Sequence, residues 1–353
     1  MDKQPSPQPD QRQQDSRRRK LKGAGVFGCV LLAFAAAAIF GLRGGTEQST
    51  VAATLTSAPG GPAFIPVSTV RDIAATPDSR EVYVAHAGIV SVVETATNKV
   101  SDVISVPGQP GALTITPDGA FVFVATTTAL VKIDTRSRTV VKQINHDYAT
   151  ARTIAVTPDG TRVYAAYSGL QRSWIAVLDT KTEAVTATLQ FDPQTDEFVM
   201  GAGGRTLYLL RGREGRISVR DTVTETMAAE IRLDGSHTRL ALTPDGRRLY
   251  SFEPKGSLTV IDTATNSIVA RLRHTVGGRD IAAAPNGRYV YVVATVDPRG
   301  CVTVLDTTSG AVVEMIALPG PADRIAVTPD GRRLYVGTES DARMQVVDLS
   351  RYA

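Results

Sequence analysis

The sequence predicts an all-β fold: a seven-bladed β-propeller of four-stranded antiparallel blades, closed by an N-terminal strand in the last blade and preceded by one N-terminal transmembrane helix. Three observations carry this expectation. A turn reading Thr-Pro-Asp-Gly, or a worn copy of it, begins at Thr76, Thr116, Thr157, Gly201, Thr243, Ala284 and Thr328, with starts 40, 41, 44, 42, 41 and 44 residues apart. A second mark, Asp-Thr or a variant, follows at Glu94, Asp134, Asp179, Asp221, Asp262, Asp306 and Asp348. A period near 42 residues suits one blade. Third, the last repeat ends at Arg351-Tyr352-Ala353 with no fourth strand of its own, while the apolar, β-branched stretch AFIPVSTV at 63–70 has no blade. Pairing the two closes the circle without a free edge.

From the amino terminus, residues 1–22 read as a basic cytoplasmic tail, disordered, with seven basic side chains against three acids. That excess is the whole formal charge of +4, so the remaining chain is balanced at 32 basic and 32 acidic residues, and no nucleic-acid footprint is visible. Residues 23–42, GAGVFGCVLLAFAAAAIFGL, are twenty positions without a charge, long enough as a helix to cross a bilayer core of about 30 Å. Arg17 to Lys22 precede this segment and Arg43 alone follows closely. The positive-inside bias therefore keeps the amino terminus in the cytoplasm and puts the rest outside, as a signal anchor in the cytoplasmic membrane. A cleaved signal peptide, with Ala36 and Ala38 at an A-x-A-like site, is the competing reading and would make the protein secreted. Residues 43–61, rich in Gly, Ser, Thr and Ala, read as a flexible linker, and 62–353 as the propeller.

The fifth repeat shows how one blade is made. Leu240-Ala241-Leu242 runs into Thr243-Pro244-Asp245-Gly246, then Arg248-Leu249-Tyr250, a strand at 258–261 ending in Asp262-Thr263, and a last strand at 268–272. Proline pre-sets φ at the second turn position and glycine supplies the left-handed one. We name the four strands A to D. Seven acids at equivalent positions serve seven separate turns rather than a metal. Repeat four replaces the proline turn with Gly201-Ala202-Gly203-Gly204 but keeps Leu207-Tyr208-Leu209 and Asp221-Thr222. It is read as a blade with altered turn chemistry. Cys29 lies in the apolar segment and Cys301 in the sixth repeat, so no disulfide forms inside the propeller. Arginine outnumbers lysine 31 to 8, the usage of a bacterium with a GC-rich genome.

Glu81-Val82-Tyr83-Val84, Arg248-Leu249-Tyr250 and Arg333-Leu334-Tyr335-Val336, with Val260-Ile261-Asp262-Thr263-Ala264-Thr265-Asn266, resemble the repeats of the YVTN family of β-propellers over residues 62–351. The resemblance implies the fold. It leaves function open, because related propellers serve as surface proteins, ligand binders and enzymes.

Strand alternation puts the A–B and C–D turns on one face of the disc and the B–C and D–A loops on the other. Spacing from Asp-Thr to the next turn is nearly constant at 22 or 23 residues, whereas turn to Asp-Thr ranges from 18 to 22, so length varies in the B–C loops at 168–173, 211–216, 296–300 and 338–343. Residues entering the A strands ring the channel mouth: Arg71 and Asp72, Arg152, Asp196 and Glu197, Arg239, Arg279 and Asp280, Asp323 and Arg324. They form either a mutual salt-bridge ring or a site for an anionic ligand. His146, His237 and His274 lie in or near D–A loops and, if they converged, would suit an enzyme of lyase or lactone-hydrolase type. The chain has no C-x-x-C-H, G-x-S-x-G or H-E-x-x-H motif, and a single tryptophan, Trp174. No catalytic residue, cofactor or metal is assigned. The expected role is a membrane-tethered binding or interaction module for a small molecule or protein on the B–C/D–A face. A propeller enzyme and a cell-envelope surface element are the alternatives.

Overall fold

The computed structural model describes residues 55–57, 63–67, 69–146, 150–168, 173–191, 195–254, 256–273, 277–296, 299–338, 340 and 342–353. The predicted tail at 1–22, the apolar segment at 23–42, most of the linker and His274 lie outside the described residues. Among the described residues, no helix is long and apolar enough to cross a membrane.

Seven antiparallel blades follow in chain order: 70–105, 110–145, 150–191, 197–232, 239–273, 278–317 and 324–348. Each A strand lies beside the A strand of the next blade, and Arg324–Val327 of blade 7 lies beside Val70–Ala75 of blade 1, so the ring is closed. The fourth repeat is a full blade despite its glycine turn, with Glu197–Met200, Thr206–Arg211, Arg216–Asp221 and Met227–Arg232 in ladder order.

Closure occurs as the sequence predicts, through a shorter strand. Ala63–Ile65 pairs antiparallel with Met344–Asp348, with Ile65 opposite Met344 and Ala63 opposite Val346, which gives blade 7 its fourth strand. Val70 instead opens the A strand of blade 1. The linker contributes one element that the sequence does not announce: Leu55–Ser57 runs parallel to Met315–Ala317 and adds a fifth strand to blade 6.

The tyrosine of the B strand is the wedge between blades. Tyr83 packs with Val122 and Val131 of blade 2, Tyr164 with Phe198 and Leu209 of blade 4, and Tyr208 with Leu249 and Ile261 of blade 5. Tyr250 and Tyr291 repeat the contact toward blades 6 and 7, Phe123 substitutes in blade 2, and Tyr335 reaches Val82 and Val93 of blade 1. Seven clusters thus fill seven junctions. Each blade buries its aromatic on its successor, which makes the hydrophobic core a continuous annulus.

The two sequence marks interlock on one face. Thr243 Oγ1 donates to Asp245 Oδ1 at 2.6 Å and accepts from Arg248 N at 3.0 Å, which fixes the A–B turn. Gly246 takes φ 70°, a conformation costly for side-chain-bearing residues; Ser79 accepts it in blade 1. Asp262 accepts from the amides of Ala264 and Thr265, and Thr263 Oγ1 donates to Gly246 O at 2.5 Å, tying the C–D turn to the A–B turn. The same link joins Thr135 to Gly119, Thr180 to Gly160 and Thr307 to Gly287. Each acid serves its own turn, and no group of His, Cys, Asp or Glu that could hold a metal occurs among the described residues.

Candidate functional site

The innermost strand of a blade has one edge without a ladder partner, and its amides need acceptors. Three carboxyl groups supply them across blade junctions. Asp72 Oδ2 accepts from Leu113 N at 2.8 Å, Glu197 Oε2 from Leu240 N at 2.9 Å, and Asp280 Oδ2 from Ile325 N at 3.0 Å. Donor and acceptor lie 41, 43 and 45 residues apart, one blade in each case. Asp72 and Asp280 use the other oxygen on the amide of the following residue, Ile73 and Ile281.

Arginines make two further junctions. Arg239 Nε lies 3.3 Å from Asp280 Oδ1, joining blades 5 and 6, and its Nη1 donates to Thr238 O at 3.1 Å. Arg324 Nε donates to Arg71 O at 2.9 Å, across the seam where blade 7 meets blade 1, and its Nη1 to Asp323 O at 3.0 Å. The expected ring of mutual salt bridges therefore exists in part. Most of its carboxyl contacts go to backbone amides, because those amides face the channel and the carboxylates are the acceptors within reach.

Burial dominates the electrostatics. It raises Glu197 from its ordinary 4.5 to about 8, against the opposing pull of Arg239, and Asp72 from 3.8 to about 6, against the amides of Leu113 and Ile73. Asp280 raises both and Arg324 lowers both, so these groups sense one another across the channel. Asp72 and Glu197 as whole residues keep partial exposure. Their burial is depth among blade atoms, not enclosure in a dry pocket.

The remaining predicted residues divide. Arg279 is largely exposed and reaches Asp323 Oδ1 at 3.8 Å, while Asp323 Oδ2 accepts from Thr338 Oγ1 at 2.7 Å. Arg152 donates from Nε to Ser168 Oγ at 2.7 Å within its own blade. Arg71 offers its carbonyl to Arg324. His146 packs against Tyr167 at 4.3 Å between ring centroids. His237 is buried, with Nδ1 beside Ser251 Oγ at 2.9 Å and Nε2 beside Asp234 O at 3.2 Å. Burial holds its pKa below the usual imidazole value, and the charges acting on it are Glu253 and Arg271, not Glu197. His146 and His237 thus serve separate local contacts.

Over blades 5 to 7 the mouth opens into a cavity of about 620 Å³, lined by Thr238, Arg239, Arg279, Asp323, Arg324 and the Gly277-Gly278 pair, among others. Sequence reasoning found the arginines and missed the glycines, Pro254 and Thr295. The legible signal was Gly277-Gly278 directly before Arg279-Asp280. A Cβ on Gly278 would meet the Phe252 ring at 2.6 Å, and one on Gly277 would meet Pro254 O at 2.6 Å, so this stretch must be bare. Thr295 Oγ1 pins the opposite wall, donating to Ala322 O at 3.1 Å and accepting from Ala322 N at 3.0 Å.

Comparison with family models and with curated proteins finds no match to this chain. Among solved structures, a chain titled Kuenenia stuttgartiensis Hydrazine Synthase superposes with a TM-score of 0.69 at 20% identity, covering 86% of this chain and 99% of that one. At this identity the similarity shows the propeller fold alone.

Proposed function

We propose that this protein is a YVTN-type propeller, tethered to the cytoplasmic membrane by residues 23–42 with its blades outside, that works as a binding module for a small molecule or protein. The observation that carries the reading is the cavity of about 620 Å³ on the B–C/D–A face, within the roughly 300–1,000 Å³ typical of ligand pockets. It sits on a frame locked by Arg239–Asp280 and Asp280–Ile325 contacts, so the site is preformed. The variable B–C segment of blade 4, with a 3₁₀ turn at Gly212–Glu214, is presented on the same face.

Two experiments test it. A periplasm-dependent reporter fused after residue 353 should be active, and an inactive one removes the tether topology. Recovery of bound partners or metabolites should fall when 211–216 becomes a short glycine turn and when Arg279 is replaced by Glu. Unchanged recovery in both removes the recognition face.

A second reading, a lyase or lactone-hydrolase type enzyme, draws on Glu197. A carboxyl with a pKa of about 8 beside the Arg239 charge is suited to proton transfer near neutral pH. Turnover of lactone or unsaturated uronide substrates that disappears in Glu197→Gln would support it. Equal turnover in both proteins would remove it.

A further inference from the structure

We infer that the outer edge of blade 3, Ala184–Phe191, is a strand-addition site that takes an extended, uncharged segment of a partner protein. This surface is the rim of the disc, so the inference does not depend on the B–C/D–A face. A D strand is paired on one side by its C strand, and its other side leaves backbone donors and acceptors open to a further strand. Such edges are ordinarily guarded by charge, shortness or cover. The outer strand of blade 1 carries Lys99 and Asp102, that of blade 2 Lys142, that of blade 4 Glu230 and Arg232, and that of blade 5 Arg271. Blade 7 has only the three residues Ala63–Ile65. Blade 6 has one ionisable group in this strand, Glu314, buried against Tyr352 and Arg351, and its edge is covered by Leu55–Ser57. Blade 3 has none of these devices. Its outer strand is eight residues long without a charge or a proline, and among the described residues it ends its sheet.

The register shows what such an edge accepts. Thr188 stands opposite Ala176, as Glu230 stands opposite Ser218, Arg271 opposite Thr259 and Met315 opposite Thr303, each C-strand partner lying equally far before its turn acid. At this level blades 4 and 5 present a charge, whereas Met315 of blade 6 receives Leu55. Thr188 therefore holds the position at which this fold accepts an added strand, and the occupant at blade 6 is the uncharged sequence Leu-Thr-Ser. The blade 3 template is also firm. Its ladder to the C strand runs from Ala184 opposite Asp179 to Phe191 opposite Ser173, Ala187 and Leu189 pack on the junction with blade 4, and Thr186 Oγ1 donates to Val177 O at 3.2 Å. Val185, Thr186, Thr188 and Gln190 remain exposed, and Glu183, just before the strand, is held by Lys132 Nζ at 2.8 Å. An edge already ordered loses little further freedom on binding. It offers no charge to pair, so a charged incoming strand would be desolvated without compensation.

Fluorescence anisotropy of the full-length protein with a labelled, end-blocked peptide of residues 51–59 tests the inference, because that peptide contains the sequence this fold already takes as an added strand. One site per chain is expected. Thr188→Arg, which copies the charge of blade 5 onto an exposed position, should weaken binding tenfold or more, and Met315→Arg on blade 6 should leave it unchanged. A peptide carrying Thr56→Pro and Ser57→Pro should not bind, since proline cannot donate to a ladder. Amide exchange of the unsubstituted protein should slow over 184–191 when the peptide is added, a readout that does not depend on how any variant folds. Absence of binding, equal binding by Thr188→Arg, or equal binding of the proline peptide overturns the inference. Protection confined to 312–317 also overturns it, since the peptide would then be exchanging with the resident strand of blade 6.

Discussion

Glu197 of blade 4 and Leu240 of blade 5 are joined by a carboxyl–amide hydrogen bond of 2.9 Å across their junction, at a depth where burial lifts the carboxyl to about 8. A folded-state pKa above the ordinary 4.5 means that the native state holds a proton the unfolded chain has released. The associated stability is complete below about pH 4.5 and is lost as pH rises through 8. Asp72 acts in the same sense between 3.8 and about 6. The turn acids, such as Asp245 and Asp262, are lowered by their hydrogen bonds and act only at more acid pH. Thermal unfolding should show the melting temperature declining from pH 5 to 8, and Glu197→Gln should flatten that slope. A variant with the wild-type slope would remove Glu197 from this account.

Tyr335 and Tyr250 fill equivalent junctions, one at the ring seam and one in its interior. Both are buried, so truncation to alanine should cost about 3–5 kcal/mol at either site. Denaturant unfolding of Tyr335→Ala and Tyr250→Ala should agree within about 1 kcal/mol. A much milder loss at Tyr335 would mean that the seam is weaker than the other junctions.

Ile65 is fully buried in blade 7, whereas its neighbour Phe64 faces outward with 41% exposure. Ile65→Ala should lower stability by about 2–5 kcal/mol and Phe64→Ala by under about 1 kcal/mol. Equal effects at the two positions would contradict the pairing with Met344–Asp348.

The carboxy-terminal turn is a second fastening. Tyr352 donates its hydroxyl to Glu314, its ring lies 5.1 Å from that of Tyr289, and its carbonyl accepts from Asn286 Nδ2 at 2.7 Å. Arg351 adds an ion pair to the same Glu314. Tyr352→Ala should cost about 3 kcal/mol or more, because the nearly buried Glu314 loses a partner as the aromatic contact is lost. Urea midpoints compared with Arg351→Ala, where the side chain is 43% exposed and its loss should cost under about 1 kcal/mol, separate the two contributions.

The blades were legible because turn chemistry recurs at fixed intervals: Thr243, Asp245, Gly246 and Thr263 are bonded to one another, and most repeats keep most of the set, with single replacements such as Ser79 in blade 1 and Leu349 in blade 7. Tyrosine was visible as a mark, but its role between blades was not, since its partners come from the following repeat. The Leu55–Ser57 strand carries no pattern of its own; three residues in parallel register look like linker. At the channel, the sequence showed Asp72, Glu197 and Asp280 as charges opposite arginines. It could not show that they answer amides one blade away, because an unpaired inner edge exists only once the circle is built.

That final sheet joins residues 63–65 to residues 344–348, almost the whole length of the propeller apart. A chain emerging amino end first must keep Ile65 waiting, its apolar side uncovered, until nearly 280 further residues have followed. Blades 1 to 6 have time to form locally, but the last step is a long-range search of the kind that makes folding slow and leaves sticky intermediates. Factors that shield unpaired β-strands during folding would therefore act chiefly on such delayed joins.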